Sequence, residues 1–567
     1  MDKYEALKKY FGHDGFRPGQ EEAVDALTGG RDVIAVMPTG AGKSVCFQLP
    51  ALLSDGITLV ISPLISLMQD QVMALCAAGL PAAYINSSLT PGQQRKALER
   101  AAAGQYRIIY VAPERLTTEA FLAFAQNAHI TYVIADEAHC ISQWGQDFRP
   151  SYLDIADFID SLPVRPTVGA FTATATPQVR SDIIRLLRLD RPCSVSTGFD
   201  RKNLTFSVER PGDPDAALMK IIKRHKNDFG IVYCATRRTV EEVTERLTDA
   251  GYSATRYHAG LSETERAENQ NDFRFGRKKI VVATNAFGMG IDKSDVRYVV
   301  HYNMPKDPES YYQEAGRAGR DGEASECVLL YSAKDVVLNR WLIEHGEDNP
   351  LVDEKTKTFL RERAEERLKQ MTFYATTGRC LRAHILRYFG ETAPDECGNC
   401  SNCLAFGIFD LKKKIEPLSK KPEKPDAEAG ETPLIDRLRE TRRLLSVQMR
   451  LPAYLIFSDA SLADMAKKLP ATEAEFKEVS GVGEYKAARY AKVFLPVIAG
   501  GKPVLPEPKA KKPKPVRENA GEAWSDEEDR RLEDEYEAGE TMAAIARRHG
   551  RSAGAIRARL RRLGLID

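Results

Sequence analysis

The stretch Asp32–Ser44, DVIAVMPTGAGKS, joins an apolar run to a glycine-rich turn and the start of a helical pattern. The apolar run predicts a buried strand, and the backbone N–H groups of such a turn at a helix N-terminus can cradle phosphates. Met37 stands where the usual phosphate-loop pattern has its first glycine, so a plain strand-to-helix turn is the alternative. The predicted nucleotide-binding residues of this loop are Thr39, Gly40, Gly42, Lys43 (to the β- and γ-phosphates) and Ser44 (to Mg²⁺).

Outward from this stretch, short apolar runs alternate with helical patterns from about residue 30 to residue 335. Continuous β-branched runs are typical of parallel strands that are covered on both faces. Their alternation with helical patterns predicts βαβ units, and there are enough strands for two parallel sheets with a boundary near residue 205. We therefore predict an α/β fold up to about residue 335, where the strand patterns stop and helical segments follow.

The composition is that of an ordinary globular chain. With 567 residues, about four domains are expected. Hydrophobic residues at 43% and charged residues at 28% exclude a disordered or disulfide-built molecule. The formal net charge of +1 gives no whole-chain sign of nucleic-acid binding, so any such contact must be local. The chain lacks a signal peptide and a run of about 18 apolar residues, and we expect a cytoplasmic protein without a membrane partner.

A second motif, Asp136-Glu-Ala-His139, directly follows the apolar run TYVIA. Carboxylates at the carboxyl end of a parallel strand lie where α/β proteins bind ligands. Asp136 is predicted to bind Mg²⁺, and Glu137 to orient or deprotonate an attacking water. An acidic helix start is the alternative, and the phosphate loop upstream disfavours it.

Together these motifs resemble those of superfamily 2 helicases, and more closely the RecQ family of DNA helicases, from residue 7 to about residue 403. The resemblance implies two RecA-like domains with ATP bound between them. Phe16–Gln20 is similar to the family's adenine-recognition segment, which implies that Gln20 reads the base edge, although an ordinary loop is the alternative. Thr172–Thr174 is similar to the motif that couples the ATPase site to DNA.

In the second α/β half, the segment Gln313–Arg320 resembles the helicase arginine-finger motif. Guanidinium groups can stabilise the charge that develops in phosphoryl transfer. The resemblance makes Arg320 the better finger and Arg317 the second candidate, and their spacing predicts that both lie on one helix face. It also implies 3′→5′ movement, driven by closure of the domains on ATP and opening after hydrolysis.

The segment Cys140–Pro150, CISQWGQDFRP, resembles the family's aromatic-rich loop. Trp144, Phe148 and Arg149 offer flat faces on which single-stranded bases can stack, at about 1–3 kcal/mol per base. Because the loop begins next to the DEAH motif, it provides a route from DNA contact to hydrolysis. A buried aromatic cluster that supports the turn is the alternative.

Four cysteines are clustered in the region after the second α/β half. Three of them have the spacing C-x₂-C-x₂-C, which suits a closed zinc site with a fourth thiolate. An iron–sulfur cluster is the rival, but the Cys-Pro ending of ferredoxin motifs is missing, and bare thiols are the remaining alternative. The RecQ resemblance also implies zinc here, and the predicted ligands are Cys380, Cys397, Cys400 and Cys403.

Beyond the cysteines the family pattern changes. Many RecQ proteins have a winged helix there, whereas only about thirty residues, most of them linker-like, separate Cys403 from the next helical pattern, so we expect the winged helix to be absent. Residues 433–500 resemble a helicase-and-RNase-D C-terminal (HRDC) domain, in which the Gly-Val-Gly turn and Lys486 could touch a phosphate. A plain corner of a helical bundle is the alternative for this turn.

The last segment resembles a small Myb-like or helix-turn-helix unit. Its second basic helix carries Arg551 and Arg557, which we predict to contact DNA, and a capping box at Ser525 and Glu528 opens its first helix. A solvated basic helix or a protein-binding module is the alternative.

We predict an ATP-dependent DNA helicase of RecQ type for recombination and repair, with ATP, Mg²⁺ and Zn²⁺ as cofactors and single-stranded, tailed or forked DNA as partner. The first rival is a DNA-stimulated translocase with weak unwinding, and the second is a regulator with an inactive motor. DNA-repair proteins are expected partners, contact to single-strand-binding protein is left open, and a bacterial chain would be nucleoid-associated. The predicted domains are 1–205 and 206–335 (RecA-like), 336–407 (zinc), 433–501 (HRDC-like) and 522–567 (Myb-like), with linkers 408–432 and 502–521.

Overall fold

The computed structural model describes residues 1–287, 293–346, 352–405, 434–449, 451–505, 524–538, 540–563 and 565. The chain divides into two compact units, Met1–Leu505 and Pro506–Asp567. In the described residues no helix is long and apolar enough to cross a membrane.

The first RecA-like domain is a seven-stranded sheet in the order β3-β4-β2-β5-β6-β1-β7. All of its strand pairs are parallel, which explains why β1, β2 and β4 are buried along their whole length. The strands are β1 (Val33–Val36), β2 (Ile57–Ile61), β3 (Ala82–Ile85), β4 (Ile108–Val111), β5 (Ile130–Asp136), β6 (Thr167–Thr172) and β7 (Cys193–Ser196). The helices are α1 (Lys3–Ala6), α2 (Gln20–Thr28), α3 (Lys43–Leu53), α4 (Ile65–Ala77), α5 (Pro91–Ala102), α6 (Glu119–Asn127), α7 (Asp154–Asp160) and α8 (Pro177–Leu186).

The second RecA-like domain is a six-stranded parallel sheet in the order β10-β11-β9-β12-β13-β8. Two parallel sheets are therefore present, as the alternating pattern predicted, and the chain passes from one sheet to the other between Ser196 and Leu204. Its strands are β8 (Leu204–Glu209), β9 (Phe229–Tyr233), β10 (Ala254–Tyr257), β11 (Ile280–Ala283), β12 (Val296–His301) and β13 (Ser325–Leu330). Its helices are α9 (Pro214–Arg224), α10 (Arg237–Asp249), α11 (Glu263–Arg274) and α12 (Pro308–Ala315).

A helical module follows and is fixed to the second sheet. It contains α13 (Ala333–His345), α14 (Glu354–Thr376) and α15 (Leu381–Tyr388). Arg382 forms an ion pair with Asp200 at 2.6 Å, and the Tyr374 hydroxyl donates to the Tyr311 hydroxyl on α12 at 3.1 Å. The backbone of Cys400 pairs with that of Phe206 on β8 in an isolated parallel β-bridge. The module therefore packs against the second RecA-like domain.

The remaining described elements are all helical, as predicted. Five helices pack around Phe457, Phe476 and Phe494: α16 (Leu434–Met449), α17 (Ala453–Ile456), α18 (Asp459–Lys468), α19 (Glu473–Lys477) and α20 (Glu484–Ile498). The second unit contains α21 (Asp526–Glu537), α22 (Met542–Arg548) and α23 (Ala553–Arg562), packed around Leu532, Ile545, Ile556 and Leu560. The expected linkers, and the segment in which the winged helix is expected to be missing, lie at least in part outside the described residues.

Candidate ATP cleft and nucleic-acid interface

The phosphate loop connects β1 to α3, as the sequence predicted. Gly40 and Gly42 have φ angles of +85° and +83°, a conformation that a residue with a Cβ rarely adopts. The side chain of Met37, at the position of the missing glycine, is fully buried, and its backbone N–H donates to the carbonyl of Thr172 at 3.0 Å. The departure from the usual pattern thus falls where the chain leaves the strand, and Lys43 Nζ lies in the loop, 3.2 Å from the Met37 carbonyl oxygen.

The side chain of Gln20 forms hydrogen bonds with the backbone of this loop. Its Nε2 donates to the carbonyl oxygens of Ala41 and Gly42, both at 3.1 Å, and its Oε1 accepts from the backbone N–H of Arg17 at 2.9 Å. The residue is 4% exposed. Its amide therefore connects the predicted adenine-recognition segment to the phosphate loop, and both ends of the amide have protein partners rather than a free edge for a base.

The second RecA-like domain contacts the phosphate loop directly. The Thr39 hydroxyl donates to the carbonyl of Gly316 at 3.1 Å, and a Cβ at Gly40 would lie 3.5 Å from Cγ of Arg320. Arg201 links the two walls, because its guanidinium donates to the Thr39 carbonyl at 3.0 Å and to the Gly319 carbonyl at 2.8 Å. Sequence reasoning missed Arg201, which lies between β7 and β8 in no recognisable motif.

The two predicted arginine fingers do not lie on one helix face. Helix α12 ends at Ala315, and both arginines are in the turns that follow it. The prediction fails because glycines interrupt the segment, and Gly319 has a φ of +56°. The result separates the two side chains: Arg317 is 7% exposed, whereas Arg320 is half-buried next to Gly40.

The DEAH motif lies at the carboxyl end of β5. Asp136 is 8% exposed, and its burial together with the neighbouring Glu137 raises the pKa of its carboxyl group. Its carboxylate and the Ser44 hydroxyl are hard oxygen donors of the type that Mg²⁺ prefers, and a bound dication would favour the charged carboxylate. Glu137 has a φ of +48°, and its Oε2 lies 3.4 Å from Nδ1 of His139.

Hydrogen bonds connect the DEAH motif to the segment Thr172–Thr174, and this segment to the arginine-finger segment. His139 Nδ1 lies 2.8 Å from the Thr172 hydroxyl, and burial lowers the pKa of His139, which favours the neutral ring. The Thr172 hydroxyl also accepts from the backbone N–H of Thr174 at 3.2 Å. Gln313 Nε2, from the arginine-finger segment, lies 3.5 Å from the Thr174 hydroxyl. The three segments thus form one continuous polar network across the cleft.

The aromatic loop begins in the turn that follows the DEAH motif. Trp144 is 38% exposed. Phe148 is half-buried and lines a cavity of about 600 Å³, together with other loop residues, the second RecA-like domain and α14. Arg149 differs from the prediction of a stacking face. Its guanidinium forms an ion pair with Asp147 at 3.1 Å and donates to the Pro63 carbonyl at 2.8 Å, so it holds the loop in shape.

The four predicted zinc ligands converge. The Sγ atoms of Cys380, Cys397, Cys400 and Cys403 all lie within 4.8 Å of one another. Tetrahedral zinc with Zn–S bonds of about 2.3 Å requires S···S distances of about 3.8 Å, and Sγ of Cys400 lies 4.0 Å from Sγ of Cys380. These thiols form no disulfide, and they fit a structural zinc ion without an open position for a substrate.

The HRDC-like turn has an intramolecular partner. The Gly481 N–H donates to the Gly12 carbonyl at 2.6 Å, and a Cβ at Gly483 would come within 2.5 Å of the Lys9 carbonyl oxygen. Lys486 is half-buried with its Nζ 5.8 Å from the centroid of Phe457, and desolvation lowers its pKa to about 8. The structure thus places this turn against the N-terminal helical segment rather than on an open surface.

The second unit separates the two arginines predicted to contact DNA. Arg551 is 6% exposed, forms ion pairs with Glu528 at 2.6 and 2.9 Å, and lies 4.2 Å from the centroid of Trp524. Arg559 pairs with Asp529 in the same way, at 2.5 Å. Arg557 is exposed. Helix α21 therefore holds Arg551 in a buried ion pair, whereas Arg557 is accessible to solvent.

Four family models match the chain in this order: DEAD/DEAH box helicase (residues 17–183), helicase conserved C-terminal domain (213–322), RecQ zinc-binding (333–404) and HRDC domain (431–498). An ATP-dependent DNA helicase RecQ from Bacillus subtilis is 38% identical over 581 residues, which cover 86% of this chain and 97% of the relative. An ATP-dependent DNA helicase RecQ from Haemophilus influenzae is 33% identical over 603 residues, which cover 88% and 96%.

The zinc-binding match and the four converging thiols confirm the prediction of zinc over an iron–sulfur cluster. Two RecA-like sheets, a phosphate loop that faces arginines across a cleft, and relatives matched over nearly their full length agree with one another. The chain belongs to the RecQ family of superfamily 2 helicases.

Proposed function

We propose that this chain, which is an ATP-dependent DNA helicase of RecQ type, moves 3′→5′ along single-stranded DNA and opens tailed or forked duplexes. The observation that carries the proposal is the contact between the phosphate loop of the first RecA-like domain and the arginine segment of the second, through Thr39, Arg201 and Arg320. A nucleotide between these walls would bind both domains, so its hydrolysis can change the distance between them.

The residues of the cleft have separate roles in this proposal. Lys43 and the N–H groups of the phosphate loop hold the phosphates, and Ser44 and Asp136 hold Mg²⁺, which neutralises phosphate charge. Glu137 orients the attacking water. Arg320 stabilises the charge that develops on the transferred phosphoryl group, and the buried Arg317 supports the turn from the second domain.

On the DNA side, Trp144 and Phe148 are the proposed stacking residues, and Arg149 keeps their loop in shape. The network from Glu137 through Thr172 to Gln313 connects the root of this loop with the nucleotide. The exposed Arg557 adds a phosphate contact from the second unit. The zinc ion holds the helical module together and takes no part in hydrolysis. Proteins of DNA repair are proposed partners, and binding to chromosomal DNA would place a bacterial chain at the nucleoid.

One observation favours a second candidate, a DNA-stimulated translocase that unwinds weakly. Residues 406–433 separate the zinc module from α16, and 411–432 within this segment are rich in Lys, Pro and Glu and poor in apolar residues. It is too short for the winged helix that many RecQ proteins place there. A helicase without that domain needs another surface to separate the strands.

Strand release from three duplexes with a 3′ tail, a 5′ tail or blunt ends, beside ATP hydrolysis on the same DNAs, tests both candidates. ATP-dependent release from the 3′-tailed duplex alone supports the helicase and its polarity. Release from the 5′-tailed duplex contradicts the polarity. Strong DNA-stimulated hydrolysis without strand release favours the translocase, and hydrolysis that DNA does not stimulate contradicts both.

A further inference from the structure

Trp144, at the tip of the aromatic loop, is held by helix α14 of the zinc module. Its ring meets the ring of Phe359 edge-to-face, with centroids 5.3 Å apart and an interplanar angle of 84°. The guanidinium carbon of Arg363 lies over the same indole, 4.9 Å from its centroid. The Nη1 of Arg367 donates to the Trp144 carbonyl at 3.3 Å. The three residues of α14 are four positions apart, so they form one face of the helix.

This contact uses the indole surface that a DNA base would need. Stacking of a base requires a free face of the ring, and Arg363 lies over one face while Phe359 abuts the ring. Arg363 also lies 5.4 Å from the centroid of Phe359, so the three side chains form one cluster. A base that stacks on this face of Trp144 must displace that cluster.

The two ends of the contact belong to different parts of the motor. The Trp144 N–H donates to the Ser142 hydroxyl at 3.2 Å, directly after the short helical turn Ala138–Ile141 that follows Glu137. Helix α14, in contrast, is fixed to the second RecA-like domain by buried residues such as Met371 and by the hydrogen bond from Tyr374 to Tyr311. The cluster therefore connects the catalytic edge of the first domain to the second domain.

We propose that Phe359 and Arg363 compete with DNA for Trp144, so that single-stranded DNA must release the aromatic loop from the zinc module in order to bind. The inference rests on the proposed function, because it assigns a regulator to the same DNA loop. The apparent affinity for DNA is then the intrinsic affinity multiplied by the fraction of molecules whose Trp144 is free.

Phe359→Ala tests the competition without a change of charge. We expect it to lower the Kd for a labelled oligothymidine about three- to tenfold, measured by fluorescence anisotropy without nucleotide, because an aromatic pair of this geometry contributes an amount of that order. Phe359→Leu keeps an apolar side chain and removes the ring, so it should act in the same direction. The matched control is Phe373→Ala, an exposed phenylalanine of the same helix that contacts His384 and should leave the Kd unchanged.

A double-mutant cycle separates competition from a general effect on folding. In a Trp144→Ala background, Phe359→Ala should no longer tighten DNA binding, because the residue that the two partners share is gone. An unchanged or higher Kd for Phe359→Ala overturns the inference, and so does tightening that persists without Trp144. Trp144→Ala tests the proposed function separately. If Trp144→Ala binds DNA like the unmodified chain, the proposed DNA role of the loop is wrong. If Trp144→Ala binds DNA more weakly, and Phe359→Ala in the unmodified chain does not bind it more tightly, only the proposed competition is wrong.

Discussion

The ATP cleft differs from the regions predicted to contact DNA in whether the predicted residues come together in the structure. In the cleft, the phosphate loop, the DEAH motif and the arginine segment converge on one site. In the regions predicted to contact DNA, four of the predicted residues have protein partners in the structure: Trp144, Arg149, Lys486 and Arg551. A phosphate site is built from a few contiguous backbone groups, whereas a DNA surface depends on which side chains the tertiary fold leaves uncovered.

The largest effect is expected in the cleft. Lys43→Ala should lower ATP hydrolysis at least about a hundredfold, because it removes the cation that the phosphate loop offers to the β- and γ-phosphates. Binding of an oligonucleotide, measured by anisotropy, should remain, since Lys43 is not one of the residues predicted to contact DNA. Lys369→Ala, at an exposed lysine of α14, is the control. Retained turnover in Lys43→Ala would contradict the assignment of the site.

The zinc site gives the next largest effect, on stability. Cys397→Ser should reduce bound zinc from about one ion per chain to a small fraction and lower the melting temperature of the motor, because structural zinc contributes folding free energy directly. Elemental analysis and thermal unfolding measure both. Cys76→Ser, at an exposed cysteine outside the cluster, should change neither. A brown protein that contains iron would overturn the zinc assignment.

Trp144→Ala tests the exposed tryptophan of the aromatic loop. We expect a rise in the Kd for single-stranded DNA of about five- to a hundredfold, which corresponds to the 1–3 kcal/mol that a stacked base contributes. The DNA concentration that half-maximally stimulates hydrolysis should rise in parallel, and hydrolysis without DNA should stay unchanged. An unaltered Kd would mean that Trp144 does not contact DNA, so that the motif prediction would fail for the aromatic loop as well.

For Arg551 and Arg557 of the second unit we expect smaller effects, one on stability and the other on DNA affinity. Arg557→Gln should weaken DNA binding about two- to threefold and reduce its salt dependence, because it removes one exposed phosphate contact. Arg551→Gln should instead destabilise the three-helix unit by about 1–3 kcal/mol, because it removes the buried guanidinium that pairs with the half-buried Glu528. Thermal unfolding and titrations at two salt concentrations measure the difference, and equal effects of both variants on DNA affinity would contradict the division.

The smallest effect is expected for Lys486→Gln. The turn that precedes it is packed against Gly12 and Lys9, and the side chain lies near Phe457. Removal of its charge should therefore leave the Kd for DNA within experimental error. A clear loss of affinity would show that the HRDC-like turn contacts DNA and would remove the contrast between the two regions.

The sequence by itself determined the two parallel sheets, the phosphate loop, the acidic strand end and the zinc ligands. Each is a local pattern whose chemistry depends on residues close together in the chain: buried strands need continuous apolar runs, and phosphates need a glycine-rich turn at a helix N-terminus. Even the replacement of a glycine by Met37 left that pattern readable, because the side chain is accommodated in the core next to β1.

The tertiary structure alone decided which side chains are free to meet DNA. Arg201 lies in no motif and yet joins the two walls of the cleft, and the Gln20 amide joins the phosphate loop to the backbone of Arg17. The acidic partner that covers Arg551 and the helix that holds Trp144 are distant in sequence. Burial and pairing of a long side chain are set by what packs against it from elsewhere in the chain, and a pattern of neighbouring residues does not contain that information.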